Sequence, residues 1–148
     1  MPVFETFDMA ARAVVTQAHQ EARNHGSDHI GTEHLLLGVL SDSSVAATLR
    51  SFAVTFDEKI RSRVEDSIGP AGEPQPGYLP FSRRAKLALK RTRMMSESGG
   101  LGSVRSTHVL AALMSDGQSA AAQTVLSLGV EPAVLRERAL ENSAGRQP

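Results

Sequence analysis

The sequence predicts an all-α protein built from two tandem four-helix units, eight helices in a pseudo-twofold repeat. Three observations carry this. Apolar residues recur at helical spacing along most of the 148 residues. A shift of 74 positions lays the chain on itself: Phe7 falls on Phe81, Ala11 on Ala85, Gly26 on Gly100, Ile30 on Val104, and HLLLGVLSD on HVLAALMSD. The register then slips by two, so that VAATLRSFAV from Val45 matches AAQTVLSLGV from Ala121. Finally, GPAGEPQPGYLP holds four prolines and three glycines between the copies, and no helix continues through such a segment. The chain therefore divides into repeat one at 3–68, a linker at 69–80, repeat two at 81–141 and a frayed tail at 142–148, all within a single domain.

Within repeat one, Asp8 is placed to cap a helix whose buried stripe is Ala11, Val14, Val15, Ala18 and Ala22, and Asn24, Gly26 and Ser27 favour its end. Thr32 is expected to cap the second helix, with Glu33 in its first turn and Leu35, Leu36, Val39 and Leu40 facing inward. The third carries Val45, Leu49 and Phe52. The fourth is expected to open on a capping box, Thr55 with Glu58, and to bury Ile60, Val64 and Ile68. Repeat two follows the same plan. Ser82 caps a helix bearing Ala85, Leu89, Thr92 and Met95, which Ser98, Gly99 and Gly100 stop; Val109, Leu110, Leu113 and Met114 follow Ser106; Ala122, Val125 and Leu128 form the seventh stripe; and Pro132 suits the first turn of the eighth helix.

Composition narrows function. Sixteen basic residues balance 16 acidic ones, so no global field draws the chain to nucleic acid or an anionic membrane. Cysteine is absent, which removes disulfide and thiolate chemistry and is compatible with a reducing cytoplasm. Apolar runs are far shorter than the roughly 20 residues of a membrane span, and the amino terminus lacks the basic region and long apolar core of an export signal. A cytoplasmic location is expected.

Taken together, FETFDMAARAVVTQAHQEAR, HIGTEHLLLGVL, YLPFSRRAKLALK and the divergent VRSTHVLAALM resemble the double-repeat amino-terminal domain of Clp-type AAA+ unfoldases, in particular the ClpC branch, over residues 3 to 141. Such unfoldases carry ATPase modules with a GxxxxGK[ST] phosphate loop, and these 148 residues contain none, so a motor function is not expected of them. The resemblance implies a non-catalytic, cofactor-free, monomeric protein-binding module, an accessory or competing receptor for Clp adaptors, substrates, the unfoldase itself or cyclic-peptide antibiotics. A ligand sink independent of the protease is the alternative.

By the same resemblance the adaptor- and antibiotic-facing surface falls on Phe4, Val15, Tyr78 and Phe81, with Lys86 nearby. The family usually has histidine where Tyr78 stands, which leaves ligand selectivity open. Phe7 reads as a core plug. Glu33, the acidic residue of GTEH, corresponds to a position that holds the guanidinium of phosphoarginine in some members; its counterpart Thr107 has no charge, so two equivalent phosphoarginine sites are not expected.

Other constellations read as structural. His34 and His108 occupy equivalent places, which points to a shared structural hydrogen bond. His25, His29 and His34 lack a fourth ligand for zinc. Ser27 with His29, and Ser106 with His108, lack the third partner that nucleophilic catalysis requires. Six basic residues and no acidic one lie between Phe81 and Met94. Of these, Arg83, Arg84 and Lys90 are candidates for meeting an acidic partner, and a DNA-binding regulator is the weaker reading of the same stripe.

Overall fold

The computed structural model describes residues 3–69, 72–74 and 77–143. Among them a 3-10 turn, Val3–Thr6, precedes eight α-helices: α1 Met9–Asn24, α2 Thr32–Leu40, α3 Ser43–Arg50, α4 Phe56–Ile68, α5 Arg83–Ser98, α6 Ser106–Ser115, α7 Ala120–Ser127 and α8 Pro132–Ser143. The expected pattern of two four-helix units is present.

At the centre lie α2 and α6, packed against each other and sheathed by the remaining helices. Leu35, Leu36, Leu37 and Val39 of α2 and Val109 through Met114 of α6 are all buried. A helix apolar on every side is stable only when covered all round. Where α1 crosses α2 the backbones nearly touch: a Cβ on Gly38 would stand 2.4 Å from the Val14 carbonyl oxygen. The equivalent position in α6 is Ala112, so the two copies pack their first two helices at different depths.

Caps close the helices. Asp8 and Ser82 accept from the amides of Ala11 and Ala85 at 2.8 and 3.2 Å, as their positions predict. Gly26 and Gly100, at φ 72° and 76°, end α1 and α5 in the left-handed conformation that favours glycine. Beyond them the amides of Ser27 and Leu101 reach back to the carbonyls of Ala22 and Ser96, both at 2.9 Å.

Three expectations are corrected. Thr32 does not cap α2: Gly31 occupies that place, its amide donates to His34 Nδ1 at 2.9 Å, and the Thr32 hydroxyl instead accepts from the Ala121 amide at 3.3 Å. Thr55 precedes α4 without a side-chain cap bond, and Phe56, which follows it, is buried. The pull of that aromatic into the core sets the entry to α4 in place of the Thr55 and Glu58 box. Asn142 and Ser143 belong to α8: Asn142 donates to the Thr48 hydroxyl, and the buried Ser143 hydroxyl meets that of Thr107. Residues 144–148 of the expected tail lie outside the described residues.

The two copies are crossed. The Asp8 amide donates to the Val104 carbonyl at 2.9 Å and the Val104 amide to Thr6 at 2.8 Å; in the mirror arrangement the Ile30 amide donates to Pro80 at 2.8 Å and the Ser82 amide to Ile30 at 2.9 Å. Phe7 with Val104, and Ile30 with Phe81, thus form two isolated parallel bridges. The segment that opens each copy pairs with the loop before the second helix of the other.

Both repeat-equivalent histidines serve as internal caps. His108 Nδ1 accepts from the Arg105 amide at 2.9 Å, as His34 does from Gly31. Burial pushes His108 down to about 4, the Arg105 guanidinium acting in the same direction and Asp8 against it. His34 is lowered as well, through burial first.

Two outcomes are expected. Gly38→Ala should destabilise the fold by roughly 1–3 kcal/mol through overpacking against α1, read as a lower urea midpoint. Because both imidazoles stay neutral in the native state, the unfolded chain takes up protons below its histidine value of about 6.5 that the folded chain refuses until lower pH. Their contribution to stability is therefore full above about pH 6.5 and is lost as pH falls below that value, for His108 towards about 4. The urea midpoint should drop across this window. The double change His34→Asn and His108→Asn, which keeps an acceptor but does not titrate, should flatten the drop.

Candidate functional site

The surface expected from the resemblance sits at one of the crossed bridges. The 3-10 turn brings Phe4 against Phe7, ring centroids 5.1 Å apart and edge-on, and against Phe81 at 5.9 Å. Arg12 fastens this turn: its Nε donates to the Phe7 carbonyl at 3.0 Å and its Nη2 to that of Glu5 at 3.3 Å. Phe7 is buried as a core plug, whereas Phe4 and Phe81 are half-buried, with part of each ring facing solvent. Two aromatics from opposite repeats thus share one junction, held by the pairing of Phe81 with Ile30.

Tyr78 stands beside α1. Its ring lies edge-on to His19 at 5.4 Å and is 78% exposed. His19 Nε2 accepts the Leu79 amide at 3.3 Å and Leu79 is buried, which ties the end of the linker to α1. Val15, one turn before His19, is half-buried against the core. Lys86 is exposed in the second turn of α5. Tyr78 and Leu79 thus meet α1 at His19, and Phe81 meets Phe4 at the junction. The His19 contact had no signal in the sequence, since it joins positions 60 residues apart.

The basic stripe does not form one free face. Arg84 pairs with Asp116 at 2.6 Å, holding that carboxyl below its ordinary range, and Arg93 pairs with Glu97 at 3.2 Å. Arg83, Lys86 and Lys90 are exposed, and Arg91 is half-buried.

Glu33 lies at N2 of α2, half-buried, its carboxylate folded over Gly31, where an added Cβ would stand 2.4 Å from Oε1. It borders a hollow of about 430 Å³ of mixed polar and apolar lining, shared with His25, Ser27, His34, Ser67, Ile68 and Ala120. His34 is 2% exposed, and since its Nδ1 accepts a bond, its proton sits on Nε2, which is buried without a partner. The counterpart of Glu33, Thr107, is buried and bonded to Ser143, so nothing like the Glu33 carboxylate faces the equivalent place in repeat two. A larger, mostly apolar groove of about 570 Å³ runs between α5, α6 and α8, lined by Arg91, Met94, Met95, Leu101, His108 and Leu140 among others. The sequence reading did not single it out.

Among the described residues no group of three or more His, Asp or Glu side chains is placed to hold a metal ion, and no helix is long and apolar enough to cross a membrane.

Comparison with known proteins agrees with this architecture. Residues 6–128 match the Clp repeat (R) N-terminal domain. The chain is 31% identical over 140 residues to the chloroplastic chaperone protein ClpC2 of Oryza sativa subsp. japonica, and 30% identical over 140 residues to chloroplastic ClpC of Pisum sativum. These alignments take in 93% of this chain but only 15% of either relative. Among solved structures, the N-terminal domain of ClpD from Arabidopsis thaliana superposes with a TM-score of 0.73 at 25% identity, covering 96% of this chain and 97% of that one. The Hsp104 N-terminal domain from Candida albicans gives 0.80 at 16% identity, covering 97% and 95%. The ClpV N-domain, solved in complex with a VipB peptide, gives 0.66 at 17% identity, covering 97% and 92%. With its helices, its crossed repeats and 123 consecutive positions matched, the chain belongs to the Clp repeat N-terminal domain family.

Proposed function

We propose that this domain is a non-catalytic receptor for peptides and proteins of the Clp system, and that it engages them through the ledge of Phe4, Phe81, Tyr78 and Val15 with Lys86 at its edge. The observation that carries this reading is the half-buried Phe4–Phe81 pair, with the exposed Tyr78 shortly before Phe81 in the chain. Aromatics fixed at the base and open at the top give large contact area with little conformational entropy to lose, which is the character of binding hot spots. The peptide held by the related ClpV N-domain supports the same class of ligand. Adaptors, substrates, the unfoldase and cyclic-peptide antibiotics all fit an aromatic ledge with a cation beside it. The domain works as a monomer, in the cytoplasm, without a cofactor, as an accessory or competing receptor; a ligand sink acting apart from the protease uses the same ledge. DNA binding has less support, because Arg84 and Arg93 already spend their charge on Asp116 and Glu97.

A second reading concerns the hollow at Glu33. A carboxylate suited to a guanidinium, next to an unpartnered Nε2–H that wants an acceptor, favours a ligand carrying both groups, as phosphoarginine does. Only one such site is proposed, since Thr107 is committed to Ser143.

Titration with a ClpC-directed cyclic peptide, followed by heteronuclear NMR, tests the ledge. Saturable shifts should cluster on Phe4, Val15, Tyr78 and Phe81. Tyr78→Ala and Phe4→Ala should each weaken binding by about tenfold or more, with little dependence on salt. No shift at about millimolar ligand would overturn the antibiotic assignment. For Glu33, free phosphoarginine should shift residues 31–34 and not Thr107, and Glu33→Gln should weaken it by about tenfold. An unchanged affinity would remove the second reading.

A further inference from the structure

The groove between α5, α6 and α8 has a counterpart in repeat one, and the two differ in a telling way. Arg91 and Met95 of α5 correspond, at the 74-residue shift, to Gln17 and Glu21 of α1. In repeat one these polar groups satisfy each other: Gln17 Nε2 donates to Glu21 Oε2 at 3.1 Å, and Arg61 of α4 adds its charge at 3.6 Å. In repeat two the acid is replaced by Met95. The amide is replaced by a cation, Arg91, which lines the groove with its Nη1 buried and without a hydrogen-bond partner. Asp116, the acid whose carboxyl feels the Arg91 charge, accepts its hydrogen bond from Arg84 and not from Arg91. A desolvated guanidinium nitrogen left unpaired costs free energy that an incoming carboxylate would recover.

The rest of the groove is apolar. Met94, Met95, Leu101 and Leu140 line it, and His108 beneath it is held neutral by burial. Along α5, Leu87, Arg91, Met94 and Ser98 share one face, on which Leu87 is 41% and Met94 67% exposed. Lys90 and Arg83 stand exposed on the same helix, which has no acid before Glu97. We propose that this groove is a second docking site, separate from the aromatic ledge, and that its occupant is an acidic amphipathic helix of a partner protein. The apolar stripe of such a helix lies on Met94, Met95, Leu101 and Leu140, and one of its carboxylates takes the place at Arg91 that Glu21 fills beside Gln17. Methionine lining suits this use, because its flexible thioether adapts to differing apolar side chains.

The probe is a synthetic amphipathic peptide of about 15 residues, long enough to form a helix on contact, with leucines on one face and glutamates on the other. A companion peptide carries glutamine at every glutamate. Methyl NMR on the methionines of the intact domain should show saturable shifts at Met94 and Met95 with the acidic peptide, and binding at least about tenfold weaker with the glutamine peptide. Arg91→Gln, which copies repeat one, should erase that preference. Met95→Glu, which supplies the missing acid from within the chain, should abolish binding, while Tyr78→Ala should leave it unchanged. Equal affinity for the two peptides, shifts that leave Met94 and Met95 unmoved, or no shift at about millimolar peptide would each overturn the proposal. The comparison of two peptides on the unaltered domain decides the matter even where a variant folds poorly.

Discussion

Four backbone hydrogen bonds at the crossed bridges hold this fold in its working form. Each copy begins with a short extended segment that finds its partner only in the other copy, before α6 for Thr6–Asp8 and before α2 for Pro80–Ser82. These segments also carry the capping residues Asp8 and Ser82, so the entry to α1 and α5 is set across the repeat boundary. A second pair of contacts repeats the logic. The Ser106 hydroxyl donates to Asp42 at the start of α3, and Thr32 accepts from the start of α7. Neither four-helix unit satisfies its own polar backbone at these points, and a buried amide without a partner is costly. The two units are therefore expected to fold and unfold as one.

The candidate binding surface is a by-product of that crossing. Phe4 meets Phe81 because the chain before α1 and the chain before α5 are drawn to the same junction. Phe7, repeat-equivalent to Phe81, sinks into the core under Phe4, while Phe81 keeps part of its ring at the surface. The asymmetry traces to the 3-10 turn and Arg12, which close over Phe7; Lys86, in the equivalent place, is exposed.

Much of the fold was legible in the sequence because repetition supplies internal controls. A 74-residue shift that aligns capping residues, terminating glycines and apolar stripes leaves little freedom in helix number or order. The errors arose where tertiary contact overrode local chemistry. Thr32 has the side chain of a cap, yet α2 starts from Gly31 because His34 folds back on that amide and the Thr32 hydroxyl is taken by α7. Thr55 and Glu58 have capping-box spacing, but burial of Phe56 turns the entry to α4 away from it. The aromatic residues of the candidate surface were named from resemblance; the repeat marked Phe7, equivalent to Phe81, as a core plug. The groove at Arg91 was invisible for a different reason: its signal is a missing partner, and absence shows only once Gln17 and Glu21 are seen bonded in the other copy.

Crossed segments that each complete the other copy have the geometry of a symmetric dimer whose protomers have been joined end to end. In a true dimer every substitution appears twice, so a new pocket must be tolerated at both places and paid for in both. Joining the protomers lifts that rule. Gly38 keeps its tight crossing while Ala112 relaxes the other, Glu33 keeps its charge while Thr107 turns inward, and Glu21 stays paired while Met95 opens an apolar wall. One half is free to conserve the interlock while the other specialises, and a single small domain thereby presents different chemistry on surfaces that began as copies.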